Sequence, residues 1–163
     1  MLYIFGGLPA AGKSTLSLRL AQYLRVMHLR IDTIEQAMRD AGTALHGPEG
    51  YRVGYAIAGD NLHLGLSIVA DSVNPLKITR DAWRDVAVSA GAPYVEIEVI
   101  CSDRDEHRRR VESRRVNIAN LRLPTWEQVV NREYEAWDRA HVVIDTAGAN
   151  IDQSFAALLR DLQ

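Results

Sequence analysis

Residues 5–16 read FGGLPAAGKSTL, three glycines, a proline, one lysine and two hydroxyl residues between apolar flanks. From Gly7 to Ser14 the spacing is G-x-x-x-x-G-K-[ST], a glycine-rich turn ahead of a lysine and a hydroxyl. Glycines let backbone N–H groups curl around phosphate oxygens without a Cβ in the way. A helix start just beyond adds unpaired donors and a favourable dipole for anions. The Lys13 ammonium suits β- and γ-phosphates, the Ser14 hydroxyl suits Mg²⁺, and Thr15 suits the α-phosphate. The expected phosphate-binding set is Gly7, Ala10, Ala11, Gly12, Lys13, Ser14 and Thr15.

The flanks match that reading. Residues 2–5 form an apolar run with β-favouring side chains, and residues 13–25 carry apolar residues at helical spacing. The alternation continues, with strands expected at 26–31, 66–71, 92–101 and 141–145. Helices are expected at 33–39, 51–64, 79–90, from Asp103, at 125–137 and at 151–162, with Thr79 and Asp103 as N-caps. Residues 41–50 read as a loop. Most of the strands are apolar without clean alternation, so a parallel sheet covered on both faces is expected, in a single α/β domain over 1–163.

Composition narrows the function classes. Hydrophobic residues make up 47% and charged residues 25% of the 163-residue chain, the balance of a soluble globular protein. A formal net charge of -2 gives no global field toward nucleic acid or an anionic membrane. Cys101 is the single cysteine, which excludes an internal disulfide and fits a reducing cytoplasm. No basic n-region with an apolar run opens the chain, so no signal peptide is expected. The most apolar window, 53–70, is interrupted by Asp60, Asn61 and His63 and makes a poor membrane span.

A guanine-reading N-K-x-D motif is absent: the only lysine besides Lys13 is Lys77, in NPLK. After Asp71 the chain reads DSVN, so Asn74 stands where a GTPase switch has glycine. A phosphoryl-transfer enzyme with a separate acceptor fits better.

The stretches GLPAAGKSTL, LRIDTIEQAM, LSIVADSVNP with TRDAW, VEIEVICSD with RRRVESRR, and VVIDTAG together resemble the small P-loop kinase group. That group includes adenylylsulfate kinase, chloramphenicol phosphotransferase, gluconate kinase and the kinase domain of bacteriophage polynucleotide kinase. The resemblance covers nearly the whole chain. It implies a P-loop NTPase three-layer sandwich, a five-stranded parallel sheet of order 2-3-1-4-5 and an arginine-bearing lid. It also implies ATP and Mg²⁺ as cofactors.

On this resemblance Asp32 faces the acceptor hydroxyl as general base or orienter, which a carboxylate within hydrogen-bond reach can do. The plainer reading makes it the cap of the helix at 33–39. Asp71 approaches Mg²⁺ or its waters, or the acceptor. Adenylylsulfate kinases usually lack that carboxylate. Arg80 is a candidate acceptor contact through its forked donors, with Asn74 and Thr79 beside it. Residues 41–55, with His46, Tyr51, Arg52 and Tyr55, are expected to form much of the acceptor wall.

In DRDEHRRRVESRR, residues 103–115, Arg110 and Arg114 lie four apart and share a face if helical, with Arg115 beside them. The resemblance makes them lid residues over ATP. The plainer reading is a solvated helix with Asp105–Arg109 and Glu106–Arg110 pairs. The loop 145–148, DTAG, is expected near the adenine, and the tryptophans in the core.

The expected activity is transfer of the γ-phosphoryl group to a hydroxyl of a small molecule, with Lys13, Asp32, Arg110 and Arg114 as catalytic residues. Two other readings stand beside it: a polynucleotide 5′-hydroxyl kinase using the arginine run, and a nucleotide-binding regulatory module with no acceptor. A cytoplasmic monomer or homodimer without membrane contact is expected.

Overall fold

The computed structural model describes residues 1–115 and 117–163. The elements in chain order are β1 (Leu2–Gly6), α1 (Lys13–Leu24), β2 (Met27–Arg30), α2 (Ile31–Asp40), α3 (Glu49–His63) and β3 (Ile68–Asp71). There follow α4 (Lys77–Ser89), β4 (Tyr94–Ile100), α5 (Arg104–Ser113), α6 (Trp126–Val130), β5 (Val142–Asp145) and α7 (Ile151–Asp161). The strands make one parallel sheet of order β2-β3-β1-β4-β5, the P-loop NTPase arrangement expected.

The central strand serves two cores because strand side chains alternate between faces. Phe5 joins Val69, Val99, Leu16 and Leu20 of α1, and Phe155 and Leu158 of α7. Leu2 and Ile4 join Ala58 and Leu62 of α3, and Trp83 and Ala87 of α4. Each fully buried large apolar side chain contributes about 2 kcal/mol, so both layers are tied to the sheet. All the strand C-terminal ends lie at one edge of the parallel sheet, where such folds hold their ligands.

Helix α3 starts at Glu49, two residues before the expected position, and four further departures from the sequence reading change the setting of named residues. Helix α2 begins at Ile31 rather than at residue 33, with Arg30 still extended, so Asp32 sits in its first turn and caps nothing. Leu76, not Thr79, flanks the start of α4, and the Thr79 hydroxyl donates to the Leu76 carbonyl. Helix α5 has Asp103 as cap, accepting from the Glu106 N–H, but ends at Ser113. Its buried positions are His107 and Val111, and no apolar residue continues that stripe. Arg114 is therefore extended (φ -59, ψ 132), and the expected helical face shared with Arg110 does not exist.

The fourth departure is at 125–137, where only α6 is helical. The following segment is strapped to α4 instead. Arg80 donates to the carbonyls of Glu135 and Ala136, and Lys77 engages the Glu135 and Asp138 carboxylates. Trp137 lies against Gly6, where a Cβ would come within 2.8 Å of its ring. These tertiary contacts outweigh local helix propensity.

Candidate active site

The loop between β1 and α1 is held by its own backbone. The Gly7 N–H donates to Val73 O (3.0 Å), and the Ala11 N–H to Leu8 O (3.2 Å). These two expected phosphate ligands therefore shape the loop and have their amides engaged inside the protein. Gly7 has φ 137, and a Cβ there would overlap the Val99 carbonyl, so only glycine fits. Among the described residues, the N–H groups of Ala10, Gly12, Lys13 and Ser14 have no protein partner. They form an open nest at the start of α1, suited to phosphate oxygens. Thr15 also lines this cavity, with its own N–H bonded to Gly12 O.

Lys13 is 3% exposed. Burial pushes its ammonium below the ordinary value, while the Asp71 and Asp32 carboxylates pull it back up. A polyphosphate chain would supply the anionic partner that such a buried cation lacks.

Two cavities open around Lys13. One, of about 1180 Å³, is lined by the loop, the start of α1, Arg30, Arg110, Arg115, Asn117 and Thr146. The other, of about 970 Å³, is lined by Pro9, Asp32, Glu35, Tyr51, Thr79, Arg122 and Arg132 among others. Lys13 and Arg114 line both. Burial pushes the Arg114 guanidinium down, with Asp32 and Asp71 acting against that shift. The two cavities thus share a wall made of two cations.

Asp32, about one-third exposed, has Arg30 Nη2 at 3.9 Å. Asp71 is buried at the end of β3, in register with Arg30. Its Oδ2 has no hydrogen-bond partner and lies 3.7 Å from both Arg30 Nε and His28 Nε2. Burial pushes the His28 imidazole down. The Ser17 hydroxyl donates to the Ser14 carbonyl (3.2 Å), so His28 Nε2 must donate to Ser17 Oγ (3.0 Å). Arg30 also reaches Asn117 Oδ1 (3.1 Å). The sequence reading missed His28 and Arg30. Their signal was the alternation His28-Leu29-Arg30, which puts two polar side chains on one face of the strand.

Arg110 donates to the Thr146 hydroxyl (2.7 Å), the Thr146 carbonyl (2.9 Å) and Glu106 (2.5 Å). It lines the first cavity, where a nucleotide-facing arginine was expected, and is tied to the 145–148 loop through Thr146. Arg108 pairs with Glu112 (2.8 Å), so the arginine run is partly neutralised by its own helix.

Arg80 lines neither cavity. It is fully buried, donates to the Asn74, Glu135 and Ala136 carbonyls (3.3, 3.1 and 3.1 Å) and lies 4.7 Å over the Trp137 ring. The acceptor role expected of it does not match this position. Asn74 is structural too: its side chain donates to Phe5 O (2.8 Å). Of the expected wall, Tyr51 faces the second cavity, its phenol pushed up to about 12 by burial. Tyr55 instead packs edge-on to Trp83 and donates to Thr79 O. His46 and Arg52 are absent from the cavity lining. Glu35, which the sequence reading did not name, lines it with its carboxyl pushed up by burial.

Among the described residues no cluster of three or more metal-ligating side chains occurs. Mg²⁺ needs none, since it keeps several waters and takes one or two protein oxygens beside phosphate. The Ser14 side chain lines the first cavity and fits that modest demand, and the unpartnered Asp71 Oδ2 is a candidate second oxygen, although Asp71 is 2% exposed and lines neither cavity. Among the described residues no helix is long and apolar enough to cross a membrane.

Residues 2–136 match the model of a protein family described as AAA domain (AAA_33). No curated protein matches the sequence. Many solved structures share the fold, among them the following three. Chaetomium thermophilum Kti12 in complex with ADP-AlF3 is 22% identical, over 99% of this chain and 97% of that one, with a TM-score of 0.72. The Mycobacterium tuberculosis APS kinase CysC, in complex with AMPPNP and APS, is 18% identical over 99% and 96%, TM-score 0.71. A gluconokinase from Sinorhizobium meliloti is 15% identical over 97% and 91%, TM-score 0.65. The chain belongs to the AAA_33 family, and its fold is that of the P-loop NTPases.

Proposed function

From that membership and the paired cavities, we propose that the protein transfers the γ-phosphoryl group of ATP to a hydroxyl of a small molecule. The observation that carries this reading is the shared wall. A cavity with open loop amides meets a cavity containing a carboxylate, and Lys13 and Arg114 line both. A second cavity that contains a carboxylate favours a separate acceptor over a switch or a regulatory module.

In this reading the amides of Ala10, Gly12, Lys13 and Ser14 bind the phosphate chain. Lys13 and Arg114 stabilise the negative charge at the junction of the cavities. Asp32 orients the acceptor hydroxyl and takes its proton as the new O–P bond forms and the bond to the departing ADP oxygen breaks. Ser14 and Asp71 would hold Mg²⁺, which supplies further charge neutralisation on the phosphates when bound. Arg30, within 4 Å of both carboxylates, offsets their mutual repulsion, and Arg110 keeps the 145–148 loop in place beside the nucleotide.

A labelled-ATP screen against pooled metabolites, nucleosides, antibiotics and oligonucleotides tests the proposal. Label should pass to a small-molecule alcohol. Lys13→Ala should lower that transfer by about 10²–10³, and Asp32→Asn by roughly 10²–10⁴. Tight ATP binding with no transfer to any pool would favour the regulatory module. Labelled oligonucleotide alone would favour the polynucleotide kinase.

A further inference from the structure

We propose that His107 is a positioning residue of the nucleotide site. It holds the Pro9 carbonyl on the α5 side and thereby turns the Ala10 N–H into the phosphate cavity. The inference rests on the nucleotide-binding reading above and deepens it.

His107 is buried at 7% exposure, and its Nε2 lies 2.8 Å from Pro9 O. A carbonyl oxygen only accepts, so Nε2 carries the hydrogen. The Pro9–Ala10 peptide is trans, and a trans peptide is planar with its C=O and the next N–H pointing in opposite directions. Drawing the Pro9 oxygen toward α5 therefore turns the Ala10 N–H away from α5. Ala10 lines the phosphate cavity and its N–H has no partner among the described residues.

The loop needs such a hold. Ala10 is left-handed (φ 65), a conformation unfavourable for a residue with a Cβ. Pro9 has no N–H with which to anchor the turn. If the peptide plane turned over, the Pro9 carbonyl would face the cavity and repel phosphate. His107 itself is held by an edge-on contact with Trp126, ring centroids 5.4 Å apart. Trp126 opens α6, whose Gln128 lines the second cavity together with Pro9.

The test is calorimetric titration of a non-hydrolysable ATP analogue with Mg²⁺, and separately of AMP, into wild type, His107→Leu and His107→Gln. The leucine variant should bind the analogue about tenfold more weakly, the effect of one lost buried hydrogen bond. Its AMP affinity should be unchanged, because AMP carries only the α-phosphate, which the sequence reading gives to Thr15 and not to the Ala10 amide. Glutamine, which keeps an N–H donor, should recover most of the loss. His107→Met fills the same space without a donor and replaces the leucine variant if that one does not fold. Unchanged analogue affinity in a folded apolar variant overturns the inference, as does an equal loss for AMP and analogue. A wild type that binds neither nucleotide overturns the nucleotide reading, and this inference with it.

Discussion

At the scale of single residues, Lys13 concentrates the electrostatics of the site. Its ammonium is buried, and burial holds it below its ordinary value of 10.5 despite nearby Asp71 and Asp32. A bound polyphosphate favours the charged form and must raise that value. Between the free and bound values the complex carries more protons than the free protein. Binding therefore takes up a proton there, and affinity falls as pH rises through that window. Calorimetry in alkaline buffers of different ionisation enthalpy should show this uptake. Lys13→Arg, which stays charged, should show none. Uptake that persisted in the arginine variant would assign the proton elsewhere.

At the scale of elements, the strap after α6 gives Arg80 a different task from the one its sequence position suggested. Its guanidinium serves three carbonyls that nothing else among the described residues would satisfy as well. Arg80→Ala should cost about 3 kcal/mol of stability, since buried carbonyls lose a charged donor. Arg80→Lys should restore little, because an ammonium cannot span the fork. Urea unfolding measures both. Intact stability with weakened acceptor binding would return Arg80 to the acceptor site. The same element shows where sequence legibility ended. The phosphate loop was readable from local spacing, and the positions of Asp32 and Asp71 from the ends of apolar runs, whereas the strand order came only from the family resemblance and not from any local pattern. The fate of Arg80 depended on Glu135 and Ala136, more than fifty positions away. The end of α5 was similarly hidden. The helix stops where its buried stripe stops after Val111, and the charged run around it gives no local sign of that. Arg30 and His28 were missed because residues 26–31 were read only as a strand and its polar side chains were not assigned to a face, although Arg30 lies within 4 Å of both site carboxylates.

At the scale of the whole molecule, the open site costs stability. A buried ammonium whose charge is penalised destabilises the ligand-free fold, the usual tension between function and stability. Lys13→Met should raise the melting temperature of the free protein by roughly 2–4 °C, the effect of about 1 kcal/mol at this size. Wild type should gain about 2.7 kcal/mol with nucleotide at a hundredfold excess over its dissociation constant, and the methionine variant should lose most of that gain. Differential scanning calorimetry with and without nucleotide reads both effects. A lower melting temperature for the free methionine variant would mean that Lys13 is a net support for Asp32 and Asp71. The wall of Lys13 and Arg114 has one further consequence. A single ligand that joins adenosine to an alcohol through a phosphate chain would sit in both rooms at once, with its middle against that pair. The second half would then dock at the effective concentration set by the tether. On the proposed reading, the two cations of that wall call for a negatively charged linker in any such bisubstrate inhibitor.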